Sequence, residues 1–546
     1  MRALSGAALL LLAGVATPPP AAAQPAPISL GSDSLLPPPP AVAREFRAAW
    51  ITPVRGNARG DWPSSSGLSA DEQRAELRAL LDCARDAGLN AVVLHVRTAA
   101  DALYPTTHAP WSAFLSGRSG VAPEPAYDPL AFAVAEAHAR GLQLHAWFNP
   151  FRAMLPNFSG AADPSHVTRA HPEWVRRYGS QTWIDPGEPA ARRAVLAAIL
   201  DVVQRYDVDG VHLDDYFYPY HEVETVRRRV GKGRRARVVT TRREIPFPDD
   251  ATWRRHGAGR GWSDRAAWRR ANVDALVRDL YAQVKREKPW VLVGLSPFGI
   301  WRSGVPAGVT GLDAYDELHA DARRWLREGW ADYLAPQLYW PVYGEQDRFR
   351  ALDAWWRTQN VAGRHVWPGL NTARVGAPRQ AWPAHEIFSQ VTALRRARDG
   401  GTAAANRATE SQGHVHFRIG AVCGGDATLA GAMREALYRE PAVVPAAPWL
   451  DARRPAVPAL SLSPDGNALR VAAGDATPVA WWLVQWHDAD GGAWSTRLRH
   501  AEPGEDVVLD EGAHPTRVAV TAIGRSGVAG EPAQLVLPAR LSMRGE

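Results

Sequence analysis

The sequence predicts an α/β fold: a (β/α)8 TIM barrel followed by a small fibronectin type III-like β-sandwich. Three observations carry this expectation. Between residues 44 and 440, eight short apolar runs alternate with longer amphipathic segments, the order produced by serial βα units around a parallel sheet. Within the runs, apolar and polar residues alternate with period two, as on a pleated strand. Past residue 440 the chain turns Pro-rich and then breaks into short strand-like runs between Gly and Asp turns, the texture of a small sandwich.

Taken in order, residues 1–23 combine a basic start, an apolar run and "AAA" before Gln24, which reads as a signal peptide. The protein is therefore expected to be periplasmic or secreted. No cysteine follows "LLAG" to carry a lipid, and the apolar run is too short for a stable membrane insertion. Residues 24–43 form a Pro/Ala-rich linker. The barrel, 44–440, has strand candidates at 46–52, 91–97, 142–149, 208–214, 291–297, 332–340, 365–371 and 415–422. Its helices include "SADEQRAELRALLDCARDAG", with Ser69 placed to cap and Gly88 to stop it, and "EPAARRAVLAAILDVVQRY". A Pro-rich linker, 441–460, promises few contacts across the boundary. Residues 461–546 then supply the sandwich strands "ALRVAAG", "VAWWLVQWHDADG", "WSTRLRHA", "DVVLDEG" and "TRVAVTAIGRSGVAG".

Composition narrows the class. A chain of 546 residues, 46% hydrophobic and 22% charged, is globular and too long for one small domain. The two cysteines, Cys83 and Cys423, are read as small buried hydrophobes, although an oxidising compartment would allow one bond. The net charge of +6 is concentrated: residues 227–243 hold nine basic and no acidic residues. Such a stretch is either a solvated insertion or a contact for an anionic partner: nucleic acid, an acidic glycan or a membrane surface. Export makes nucleic acid the least fitting of these. The oligomeric state is not legible.

The alternation also sorts the barrel residues. It turns His95, Arg97, Gln143, His145, Trp147, Asn149, His212, Asp214, Gln337, Tyr339, Asn371, His416 and Arg418 inward. A barrel interior is ordinarily filled with branched apolar side chains, so this parity describes a polar pocket. At the end of the fourth strand "HLDDYFYP" places Asp214 and Asp215 side by side, followed by Tyr216, Phe217 and Tyr218. Paired carboxylates are costly to cover, and aromatic faces suit a sugar ring. The 23 tryptophans include Trp147, Trp301, Trp340 and Trp367 near strand ends. The inward histidines lack the close spacing of a zinc site, so no metal and no other cofactor is expected. The chain contains no G-x-S-x-G elbow, Walker loop or dinucleotide glycine motif.

"REFRAAWIT", "LHAWFNPFR", "YDVDGVHLDDYFYPY", "WRRANVDALVRDLYAQVKREKPWVLVGLSPFGIWR" and "DYLAPQLYWPVY" resemble, in order and spacing, the glycosyl-hydrolase-like family 10 proteins. The resemblance spans 44 to about 440. It implies a barrel related to glycoside hydrolases and action on bacterial glycans, peptidoglycan strands foremost. The basic insertion and the absence of a lipoprotein cysteine depart from the family pattern.

Glycoside hydrolysis ordinarily uses two carboxyl groups. Asp214 is the candidate nucleophile or ionised stabiliser; Asp215 and Asp101, the latter in "RTAADALYP", are candidates for the partner. His95, Arg97, His145, Trp147, Asn149, Arg152, His212, Tyr216, Tyr218, Ser296, Trp301, Arg302, Gln337, Tyr339, Trp340 and Asn371 are the candidate sugar contacts. Arg152 and Arg302 suit a lactyl carboxylate. The expected partner is thus a polysaccharide, acidic glycans included. A barrel that binds carbohydrate without turning it over is the main rival reading; a polysaccharide deacetylase or esterase is the third.

Overall fold

The structure is a computed structural model describing residues 38–54, 60–156, 158, 160–230, 237–377, 379–399, 412–424, 428–462, 469–488, 493–501 and 515–537. The expected signal peptide, most of the 24–43 linker and the strand expected at "DVVLDEG" lie outside these residues.

The barrel strands are Ala43–Ile51, Ala91–Arg97, Gln143–Phe148, Gly210–Leu213, Leu292–Leu295 and Tyr333–Leu334, a seventh in two halves, His365–Val366 and Gly369–Leu370, and Gln412–His416. Each pairs in parallel with the next, and the eighth returns to the first with Ala48 beside Val415. Pro368 interrupts the seventh strand because it has no N–H to give the ladder. The bridge from Gln337 to Gly369 resumes the pairing. The result is a TIM-barrel-like α/β fold.

Period-two alternation builds its two cores. Phe46, Ala48, Trp50, Ala91, Val93, Trp147, Tyr333, Trp367 and Val415 fill the inside. Ala49, Ile51, Val92, Leu94, Leu144, Ala146, Val211 and Leu213 meet the helices. Ser69 caps the helix Ala70–Asp86 in a reciprocal box with Glu72, satisfying two free N–H groups at its start.

The structure corrects four expectations. The eighth strand starts earlier than the apolar run at 415–422 implied, and Ile419–Cys423 is a helix. His416 consequently faces outward, its Nε2 2.8 Å from the Tyr438 hydroxyl, while Arg418 leaves the strand to pair with Asp61 at 2.7 Å. On the second strand a bulge between His95 and Arg97 aligns Arg97 with the helix-facing Phe148, taking it off the inward parity. Cys83 and Cys423 form a disulfide joining the helices Ala70–Asp86 and Ile419–Cys423.

The fourth correction concerns 441–460, which is no free spacer. Ala442–Val443 adds a parallel partner to the start of the first strand, and Val444 and Ala447 enter the inner core. The Trp449 indole donates to Asp332 at 2.9 Å. The segment therefore closes the amino-terminal end of the barrel. Beyond it, a four-stranded antiparallel sheet and the pair Ala459–Leu462/Leu469–Ala472 share an apolar cluster around Trp482, Val484, Trp486 and Val520. This unit docks on the barrel through Arg525 on Asp207 at 2.7 Å and the stacked rings of His138 and His500.

Candidate active site

Asp214 follows the last residue of the fourth strand, so the βα geometry delivers it to the carboxyl end of the barrel. Its Oδ1 accepts the Asp215 backbone N–H at 2.8 Å and the Gln337 amide at 3.0 Å. Gln337 is steadied by Ser296, whose carbonyl lies 3.3 Å from its Nε2. The Asp214 and Asp215 carboxyl groups are near enough to shift each other's proton affinity. Tyr220 donates its hydroxyl proton to Asp215. The Arg152 guanidinium lies 3.9 Å over the Tyr216 ring, and its charge acts on both carboxyls. Tyr339 sits within the field of the same pair.

Burial, then the neighbouring Asp215 charge, pushes the Asp214 carboxyl well above the usual carboxylate range. Burial also raises Asp215, but the Tyr220 hydroxyl and its contact with Asp214 oppose the rise. Each charge raises the cost of ionising the other, and for both carboxyls the shift favours the protonated form, more strongly for Asp214. The direction for Asp214 favours an acid over the nucleophile or ionised stabiliser expected of it. Tyr216 and Tyr220 are partly exposed, whereas Phe217 and Tyr218 turn into the core, Tyr218 against Phe247 and His319.

Below the carboxyls the inward polar residues do not line a pocket. His95, His145, Asn149 and His212 are buried, and Trp147 stacks on His95 with ring centres 3.7 Å apart. A directed chain of hydrogen bonds crosses the barrel interior. The Trp50 indole can only donate, and it gives its proton to His212 Nε2 at 3.2 Å. His212 Nδ1–H must then donate to the Tyr333 oxygen at 3.0 Å, and the Tyr333 hydroxyl to His145 Nδ1 at 2.8 Å. The last proton, on His145 Nε2, points to Gln143 at 3.4 Å. Burial holds His212 down to about 3 and His145 to about 4, so both rings are neutral and each has the single proton this order requires. A Cβ at Gly210 would stand 2.6 Å from His145, and one at Gly294 would enter the Tyr333 ring at 1.9 Å. Both positions need glycine for close approach.

The remaining candidates divide. Trp340 and Asn371 are partly exposed at strand ends, but neither shares a hydrogen bond with the carboxyl pair. Trp301 stacks on Trp355 and donates to Asp321, and Arg302 pairs with Asp316 at 2.8 Å. Asp101 is committed to its own loop through Thr98, Ala99 and Ser112. Arg97 is buried, and among the described residues its Nε and Nη1 have no hydrogen-bond partner. Among the described residues one group could gather a cation: His138, Asp207 and His500. It lies at the docked C-terminal sheets, far from this chemistry in the fold, and Arg525 already occupies Asp207.

Sequence reasoning missed Tyr220, although it stands in the same short motif as the aspartates. It also missed Asp61, whose buried carboxyl is raised to about 6 by desolvation despite Arg418. No periodicity could reveal that latch, because it joins loops 357 positions apart.

A barrel with two adjacent carboxyl groups at a strand's carboxyl end, ringed by tyrosines and an arginine, has the layout of a glycoside hydrolase. The comparisons agree. The chain belongs to the Glycosyl hydrolase-like 10 family, whose model matches residues 45–386. It is 36% identical over 441 residues to glycosyl hydrolase YngK of Bacillus subtilis, covering 78% of this chain and 79% of that protein. It is 33% identical over 386 residues to glycosyl hydrolase DigH of Escherichia coli K12, covering 66% and 82%. Among solved structures, the PgaB (BpsB) glycoside hydrolase domain of Bordetella bronchiseptica gives a TM-score of 0.44 at 14% identity, covering 72% of this chain and 99% of that domain.

Proposed function

We propose that the protein is an exported glycosidase cleaving O-glycosidic bonds in bacterial cell-wall polysaccharide, with peptidoglycan glycan strands as its substrate. The observation that carries the reading is the Asp214–Asp215 pair at the carboxyl end of the fourth strand, Asp214 held by Gln337 and Asp215 by Tyr220. Asp214, whose proton affinity burial raises, donates a proton to the glycosidic oxygen as the bond to the anomeric carbon breaks. Asp215, whose ionised form the Tyr220 hydroxyl favours, raises the proton affinity of Asp214.

The closeness of these carboxyls bears on the second role. Groups that flank a glycosidic bond stand about 5–5.5 Å apart in retaining enzymes and about 6.5–9.5 Å apart in inverting ones. In this reading Asp215, the next residue in the chain and acting directly on Asp214, does not stand across the bond from it, and Asp101 serves its loop. The nucleophile in this reading is the substrate's own 2-acetamido oxygen, which bonds to the anomeric carbon as the leaving group departs. Water then opens the cyclic intermediate and returns a proton to Asp214. Peptidoglycan strands are built of 2-acetamido sugars, and Arg152 offers a cation for their lactyl carboxylates.

Export is supported by the leader-like first residues and by the Cys83–Cys423 bond, since such bonds persist in oxidising compartments. The two C-terminal sheets are read as a fibronectin type III-like sandwich. The deciding experiment incubates the intact protein with purified glycan strands, with and without stem peptides, and weighs the products by mass spectrometry. Shortened saccharides support the reading. Binding without cleavage would assign a carbohydrate-binding barrel, and chelator-sensitive loss of acetyl groups would assign a deacetylase.

A further inference from the structure

The described residues of the basic insertion belong to two strands. Val223–Val230 and Arg237–Glu244 form an antiparallel two-stranded ribbon that starts three residues after Tyr220, at the rim of the candidate site. Its base is fixed: Glu222 accepts from the Ser180 hydroxyl at 2.8 Å, the Ile245 N–H donates to the Glu222 carbonyl at 2.9 Å, and His221 lies 3.2 Å from Glu244. The register pairs Val223 with Glu244, Thr225 with Arg242 and Arg227 with Thr240. These residues share one face with Val238, and every one of them is exposed, Val223 at 45% and Val238 at 63%. On the other face Glu224, Val226 and Val239 are partly covered, and Arg243 is neutralised by Glu224. Arg227, Arg228 and Arg242 have no acidic partner among the described residues.

We propose that this exposed face docks on a phosphate-bearing lipid surface. A lone two-stranded ribbon is marginal in water, and one that exposes branched apolar side chains between free guanidinium groups is suited to a boundary that is apolar on one side and anionic on the other. Arg227 and Arg242 supply the headgroup contacts, and their aliphatic stems extend the apolar surface of Val223 and Val238. A glycan partner fits less well. The ribbon has no aromatic ring on which a sugar could stack and no side-chain amide to read its hydroxyls. Among the described residues no helix is long and apolar enough to cross a membrane, so the contact would be peripheral. The proposal is independent of the hydrolase reading. It holds the open end of the barrel near the lipid layer whatever that end does.

The test is co-sedimentation of the intact protein with phosphatidylcholine vesicles containing phosphatidylglycerol, against pure phosphatidylcholine vesicles. Three proteins are compared: the natural sequence, Arg227→Ser with Arg242→Ser, and Val223→Ser with Val238→Ser, each checked for folding by circular dichroism. Binding should require the anionic lipid and fall about thirty-fold in the arginine pair. It should fall several-fold in the valine pair, whose charge is unchanged. Equal binding by all three proteins would overturn the proposal. So would retention of full vesicle affinity by the valine pair together with equally effective competition by a soluble carboxylated polysaccharide, which would make the ribbon an electrostatic tether for acidic glycans.

Discussion

Asp214 and Tyr220 make opposite demands on protons, and both can be measured. Asp214→Asn removes the proposed proton donor while keeping its shape, so turnover should fall by at least about a thousand-fold with no loss of fold. The sign of the stability change follows from linkage. A carboxyl whose folded pKa is raised adds stability below its unfolded pKa, and that stability is lost as pH rises through the folded value. The asparagine variant should therefore match or exceed the natural protein in melting temperature at about pH 8; a clear drop would show that the charge is wanted there. Tyr220→Phe deletes a bond that favours ionised Asp215. The acidic limb of the pH–rate profile should then move to higher pH, and an unmoved limb would remove Tyr220 from the mechanism. The aspartate pair was legible because costly charges sat at a strand end. The roles of His145 and His212 were not, because parity tells inside from outside but not a packed interior from a cleft.

Among elements, the helices and the first three strands could be read closely, since capping residues and long apolar runs mark them. The later strands are only two to five residues each, and the apolar run after His416 belongs half to a helix. There the periodicity is too brief to set a register, and the eighth strand was placed late and inverted. The pairing of Cys83 with Cys423, separated by 340 positions, left no local trace either. It ties the first helix to the short helix after the last strand, clasping the barrel where its sheet closes. Replacing both cysteines by serine should cost about 2–5 kcal/mol in urea unfolding under oxidising conditions. Under reducing conditions the difference from the natural protein should vanish; if it persists, the loss comes from packing instead of the bond.

For the whole molecule, the 441–460 segment belongs to both units. A chain ending at residue 440 loses the strand paired with Ala43–Arg44 and the apolar residues that stop the barrel's amino-terminal end. It should be poorly soluble or melt far below the full chain. A chain ending at residue 454 keeps Val444, Ala447 and Trp449 and should fold, less the docking contributed by Arg525 and the His138–His500 stack. Equal behaviour of the two truncations, read from soluble yield and melting temperature, would show that the stopper contributes nothing.

The Cys83–Cys423 bond turns the chain between those residues into a covalent ring. The ribbon after Tyr220 and seven of the eight strands lie on it. A single cut by an extracellular protease at the protruding ribbon would open the ring without releasing either piece. The nicked protein should run as one species on a non-reducing gel and as two after reduction, so a molecule already cut could keep its barrel assembled for as long as its surroundings stay oxidising.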